Sequence, residues 1–305
     1  MNPEQRHQIA LSLISGIGPI LSKQLINHFG STEEVFKAST GKVSKINGFG
    51  NKLSALLSNE ETLLKQADIV IEQSIKSGIS IHCYKDDSYP KRLLHAPDSP
   101  IILYSKGNVV LNPKKTIGVV GTRKATNYGL STTDAIVNEA KSNEPTIVSG
   151  LAYGIDVRAH EAALAEDLPT IAVLACGLDA VYPAGNRATA KKMLTNGGLV
   201  SEYPIGTKAD PRHFPARNRI IAGLSDALIV VEAAKKGGAL ITGNIAHSYE
   251  RPVFAVPGQL DKSNSEGCNQ LIRNFKASIY TGFRDVVESL NWDIETEQKV
   301  QLLEK

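Results

Sequence analysis

The sequence predicts an α/β protein built on a mostly parallel sheet with helices on both faces, preceded by a small all-α domain. Three observations carry that reading. From Thr116 onward, short β-branched runs alternate with helical patterns, the order that βαβ units require. Before that, from Ile9 to Leu57, apolar residues recur at helical spacing and are interrupted twice by glycine pairs. The 305-residue length has room for one small and one ordinary domain, and 42% hydrophobic with 21% charged residues is a globular composition.

The helical domain occupies residues 1–75. Helical patterns flank Gly16-Ile17-Gly18-Pro19 between Ile9 and Phe29, and a second pair, Glu33 to Ala38 and Lys52 to Leu57, flanks Ile46-Asn47-Gly48-Phe49-Gly50. These hairpins resemble tandem helix-hairpin-helix (SAM-like) units, whose glycines let a phosphate approach the amides of the following helix. Cations near them are sparse: Lys23 by the first hairpin, Lys45 and Lys52 by the second. A scaffold role is therefore favoured slightly over DNA contact.

Residues 76–112 read as an ordered connector, with a helix from Glu61 ending near Gly78, a short alternating strand at Ile79 to Tyr84, and prolines at Pro90, Pro97 and Pro100. The sheet domain spans 113–290. Its strands are expected at Thr116 to Val120, Thr146 to Ser149, Thr170 to Leu174, Gly198 to Ser201, Ala227 to Val231 and Val253 to Val256. Helices are expected between them at Ser131 to Ser142, Ile155 to Glu166, Arg187 to Asn196, Arg217 to Leu224 and Leu240 to Tyr249. A short polar tail, 291–305, leaves no room for a further winged-helix domain.

Charge and cysteines bound the function. A net charge of +3 falls short of a dedicated nucleic-acid clamp, so any basic surface must be local. Cys83, Cys176 and Cys268 are odd in number and far apart, fitting neither a disulfide framework nor a zinc site, and pointing to a reduced cytoplasmic setting. The N-terminus lacks the cationic and apolar regions of a signal peptide. No apolar run approaches a membrane span, so no membrane role is expected.

In parallel sheets ligands sit at the carboxyl ends of the strands, so the loops there should carry the function. The first is Gly121-Thr122-Arg123-Lys124, a glycine and two cations directly after a strand. The second, Ser149-Gly150 through Tyr153 and Gly154, turns tightly into a helix start, where free amides and the dipole favour an anion. Further along come Lys208, Arg212, Phe214 and Arg217-Asn218-Arg219, then Lys235, Lys236 and Gly238. Two arginines in a helix's first turn oppose its dipole unless an anion offsets them, which favours a ligand over a salt-bridged helix start. Cations along a backbone and aromatics (Tyr128, Tyr153, Phe214) under the bases are the chemistry of single-strand binding.

Other chemistries find no support. G-x-G-x-x-G, G-x-x-x-x-G-K-[ST] and G-x-S-x-G are all absent, which disfavours a dinucleotide cofactor, a nucleotide triphosphatase and a serine hydrolase. His160-Glu161 lacks the second histidine of a zinc hydrolase, so His160 reads as a packed helix histidine. Glu232 could act as an acid or base, but a lone carboxylate at a strand end more often accepts hydrogen bonds from loop amides. No catalytic residue, cofactor or metal is assigned.

Several segments resemble one family in register: V-S-G-L-A from Val148 with G-I-D and A-H, T-I-A-V-L-A-C-G-L-D from Thr170, S-E-Y-P from Ser201, F-P-A-R-N-R-I-I-A-G-L-S from Phe214, L-I-T at Leu240 and F-A-V-P-G from Phe254. They are similar to the DNA-processing protein A (DprA/Smf) family over roughly Tyr89 to Tyr280. The resemblance implies an extended Rossmann-like domain that binds single-stranded DNA without hydrolysing nucleotide. It also implies a homodimer, and loading of the RecA recombinase onto DNA taken up in natural transformation. By position, Arg123, Lys236 and Arg217-Asn218-Arg219 match the family's DNA-contacting motifs. Tyr153 stands where the family usually has arginine, Lys236-Gly237-Gly238-Ala239 replaces R-S-G-S, and Asn274 to Ala277 replaces a G-A pair. Two alternatives stay open: a divergent regulator or sensor, in antiphage defence or a toxin–antitoxin pair, and a nucleotide-processing enzyme related to phosphoribohydrolases.

Overall fold

The structure is a computed structural model that describes residues 1–293. Six helices come first: α1 (Pro3–Ser12), α2 (Pro19–Phe29), α3 (Thr32–Lys37), α4 (Thr40–Val43), α5 (Asn51–Leu56) and α6 (Glu60–Lys76). Asn2 and Gln5 exchange side-chain and backbone bonds in a capping box that starts α1. The second hairpin joins α4 to α5, so α4 is an extra turn that the sequence reading did not separate from α3. The hairpin glycines permit close packing. A Cβ on Gly48 would sit 2.9 Å from Leu21, and one on Gly16 would sit 3.1 Å from Leu53.

The stretch 76–112, expected as a connector with one short strand at Ile79 to Tyr84, supplies two strands, β1 (Ser80–Cys83) and β2 (Ile102–Gly107), with the short helix α7 (Lys91–Leu94) between them. There follow β3 (Thr116–Val120), α8 (Asn127–Ala140), β4 (Thr146–Ser149), α9 (Ile155–Ala165), β5 (Thr170–Leu174), α10 (Arg187–Met193) and β6 (Gly197–Ser201). The chain continues with α11 (His213–Leu224), β7 (Ala227–Val230), α12 (Gly238–Ser248), β8 (Val253–Ala255), α13 (Glu266–Arg273), β9 (Ser278–Ile279) and α14 (Phe283–Ser289). Most of the tail, 294–305, lies outside the described residues.

Among the described residues, nine strands form one sheet in the order β1-β2-β6-β5-β4-β3-β7-β8-β9. Pairing is parallel from β6 through to β9, and antiparallel where β1 and β2 extend the other edge. The central strands are buried on both faces, which is why they read as continuous apolar runs. From β3 the chain winds outward through β4, β5 and β6, then returns to lay β7 on the other side of β3. That reversal makes a crevice beyond the carboxyl ends of β3 and β7.

The helical domain packs on the sheet's β1–β2–β6 side. Ile9, Leu11 and Leu25 share one apolar cluster with Tyr104, Leu174 and Leu199. Lys23 is buried at this junction, its ammonium donating to the Ala96 carbonyl at 3.0 Å, the Pro97 carbonyl at 3.3 Å and the Ser99 hydroxyl. Burial lowers its pKa to about 8. The cation nearest the first hairpin is thus a domain fastener, out of reach of any phosphate.

Candidate nucleic-acid interface

The crevice at the β3–β7 reversal holds a cavity of about 320 Å³. Its walls come from three separated loops: Gly121, Thr122 and Arg123 after β3, Phe214 and Asn218 on the first turns of α11, and Gly237 to Ala239 at the start of α12. The first turn of α12 carries no acidic residue, so its amides offer the cavity the positive end of an uncompensated dipole. The rim is cationic and aromatic. Arg123 is exposed and lies 5.2 Å over the Phe214 ring, which in turn packs against Tyr182 at 5.4 Å. Lys124, Lys235 and Lys236 are exposed on the same two loops.

The turn after β4 has a different role from the one its sequence suggests. Gly154 has φ +79, and a Cβ there would lie 2.3 Å from the Thr122 carbonyl, so only glycine lets this turn touch the β3 loop. The Ile155 amide donates to that carbonyl at 3.2 Å, and Asp156, buried in the first turn of α9, takes the place an anion would occupy. Burial raises the Asp156 pKa, while the Arg217 charge and the amides of Gly121 and Ala152 pull it down. The anion site expected at this helix start is therefore filled from within the chain. Ser149 is also buried, its hydroxyl donating to the Val119 carbonyl at 2.6 Å.

Arg217 and Arg219 depart most from expectation. Helix α11 starts at His213, so both arginines sit beyond its first turn and the dipole argument does not apply to them. Arg217, 4% exposed, forms the cavity floor and donates to the carbonyls of Gly150 and Val173. A Cβ on Gly150 would come 2.3 Å from that guanidinium, so this glycine makes room for the arginine. Arg219 turns away and pairs with Glu202, whose side chain is 12% exposed. Asn218 alone of the three faces outward, lining the cavity with its amide 3.4 Å from the Gly238 carbonyl.

Of the remaining residues, Arg212 is exposed but paired with Asp210 at 2.9 Å, and Lys208 is exposed away from the lining. Tyr153 is 52% exposed, its hydroxyl beside Gly185 on the loop that carries Tyr182. Tyr182, which the sequence shows as the aromatic ending a strand-end glycine turn, and Asp156, an acid in a helix's first turn, are the residues here that were not among the candidate site residues. Glu232 accepts from the Thr126 amide at 3.0 Å and hydroxyl at 2.6 Å, as expected of a strand-end carboxylate holding a loop. His160 is fully buried, with Nδ1 2.7 Å from the Thr170 hydroxyl. That hydroxyl donates to the Ile147 carbonyl, so Nδ1 carries the proton, and burial lowers the ring's pKa to about 3.

Among the described residues no group of three or more side chains could hold a metal, and no helix is long and apolar enough to cross a membrane. A family model described as DNA recombination-mediator protein A matches residues 80–291. Protein Smf of Synechocystis sp. is 38% identical over 277 residues, 90% of this chain and 69% of that protein. The X-ray structure of DNA processing protein A from Streptococcus pneumoniae superposes with a TM-score of 0.75 at 29% identity, covering 94% of this chain and 98% of that one. A Helicobacter pylori DNA processing protein A, from work on its single-stranded DNA binding mode, gives a TM-score of 0.63 at 30% identity over 70% of this chain and 96% of that one. By its motifs, its fold and the reach of the family match, the chain belongs to the DNA recombination-mediator protein A family.

Proposed function

We propose that this protein binds single-stranded DNA across the β3–β7 cavity and delivers it to the RecA recombinase, acting as a homodimer in the uptake of transforming DNA and without catalysing a reaction of its own. The observation that carries the reading is the convergence of Arg123, Phe214 and the α12 start on one crevice, with free cations on its rim. A phosphate fits the Arg123 and α12 side, and bases fit the aromatic side formed by Phe214 and Tyr182. The single-strand binding described for the Helicobacter pylori relative supports the same ligand.

The test is fluorescence anisotropy with a single-stranded oligonucleotide across salt concentrations. Arg123→Ala and Lys236→Ala should each weaken binding about tenfold and lower the salt slope by about 0.7, the share of one phosphate contact on a single strand. Wild-type affinity in both variants would remove the site assignment. Delivery is tested separately, by asking whether the protein restores RecA assembly on DNA coated with single-strand-binding protein. Binding without restoration would confine the function to DNA binding.

A further inference from the structure

The Gly121–Tyr128 segment walls two cavities. Its first residues line the one described above, and Thr126, Asn127 and Tyr128 line a second of about 830 Å³, closed by Glu232 and the Pro257–Ser265 loop after β8. The strand-end segment after β7 is shared in the same way, with Ala233 and Ala234 in the first cavity and Glu232 in the second. Asn264 ties the two sides together, its amide donating to the Lys124 carbonyl at 3.2 Å. A strand lying over Arg123 and Lys124 therefore passes from one cavity to the other without leaving the protein.

The second cavity differs in chemistry. Its buried charge is negative: Glu232 is 4% exposed, and each carboxylate oxygen takes one bond from Thr126. A carboxylate has about four acceptor positions, so one on each oxygen is left over. Gly129 is what lets the carboxylate lie under α8, since a Cβ there would fall 2.2 Å from Oε2. Tyr128 is 52% exposed at the lip and is held by its hydroxyl, which donates to the Pro257 carbonyl at 3.1 Å. Such a floor repels phosphate. A lone carboxylate makes a poor cation site, and the described residues hold no cluster of three metal-binding side chains.

We propose that this cavity takes one unstacked nucleobase of the bound strand, guanine by preference. Tyr128 stacks on the base, and Glu232 accepts from its N1–H and exocyclic amine, the pair of adjacent donors that distinguishes guanine from the other bases. Lys124 and Lys262, exposed at the mouth, stay with the flanking phosphates. The inference rests on the single-strand reading above and adds a second subsite with base selectivity to it.

Photocrosslinking tests it on the full chain. A short oligothymidylate with one central 6-thioguanine should crosslink to Tyr128 or to the Pro257–Ser265 peptide. Crosslinks confined to Phe214, Tyr182 and their neighbours would overturn the subsite. The same oligonucleotide with guanine should bind about fivefold more tightly than with hypoxanthine, which lacks the amine, and equal affinities would overturn the guanine preference. Tyr128→Ala should weaken binding of the guanine oligonucleotide about tenfold, the order of one lost stacking contact, and Tyr128→Phe should retain most of it. Failure of the wild-type protein to bind any single strand would sink the function itself. Arg123-dependent binding without crosslinks in the second cavity would sink this inference alone.

Discussion

Two regions of this chain use the same sequence device, a glycine turn ahead of a helix, for different ends. In the helical domain the turns at Gly16 and Gly48 bring Leu53 and Leu21 against the backbone, and the nearest cation, Lys23, is spent on holding the domain to the sheet. At the sheet edge, Gly121, Gly150 and Gly154 also serve packing, against Ile155, the Arg217 guanidinium and the Thr122 carbonyl in turn, and they close a floor that holds buried Arg217 and Asp156 beneath a rim of free cations. A glycine turn thus says that backbone comes close to something. What it comes close to is decided by where the neighbouring cations can go.

The largest effect expected from this contrast lies in the floor. Arg217→Ala removes the donors to Gly150 and Val173 and leaves Asp156 buried without its compensating charge. Loss of one side of such a buried arrangement costs about 3–5 kcal/mol. Urea unfolding of Arg217→Ala should show that loss, whereas Arg123→Ala, at the exposed rim, should unfold as the wild type does. Equal stabilities for the two variants would break the division into floor and rim.

That division also marks how far the sequence was legible. The parallel strands from β3 to β8 were readable because burial on both faces leaves continuous β-branched runs between helical patterns. The antiparallel edge was legible only in part: β1 shows as the alternating strand at Ile79 to Tyr84, whereas β2 follows prolines that mark turns, and only its pairing with β1 and β6 makes it part of the sheet. The helix expected from Arg217 starts instead at His213, with Pro215 within its first turn, where proline costs no hydrogen bond. Arg217 and Arg219 therefore rotate inward onto partners distant in sequence. Of the candidate residues, those facing the cavity were found through strand-end position, and the error concerned which side of a helix each arginine occupies.

A smaller effect concerns acid. His160 is neutral in the folded protein, its pKa lowered from 6.5 to about 3 by burial. Below pH 6.5 the unfolded chain takes up a proton that the folded chain refuses, so this group's contribution to stability falls as the pH drops from 6.5 toward 3. Between pH 7.5 and pH 5 the loss is about 2 kcal/mol, from roughly 1.36 kcal/mol for each pH unit below the unfolded pKa. His160→Asn, which keeps a donor for Thr170 and has no proton to gain, should lose that much less between the two pH values. A parallel decline in both proteins would place the acid sensitivity elsewhere.

The smallest effect sharpens the comparison most, because it asks whether the helical domain touches DNA. Lys45 and Lys52, on either side of the second hairpin, are exposed and could meet a phosphate. The helix that follows, α5, is only six residues long and starts at Gly50 without a side-chain cap, so it presents a weak dipole compared with the α12 start. A cavity lined by His28, Phe29, Lys42 and Lys45 does lie beside the hairpin, so what stands against DNA contact is the weakness of the α5 dipole. Lys45→Ala and Lys52→Ala should therefore change single-strand affinity by less than about twofold, the size of a screened surface charge, against about tenfold for Arg123→Ala. Lys23→Met should leave affinity unchanged while lowering stability by about 1–3 kcal/mol, since three buried acceptors lose their donor. If Lys52→Ala instead matches Arg123→Ala in affinity and salt slope, the hairpin is part of the binding surface, and the two glycine devices serve one ligand.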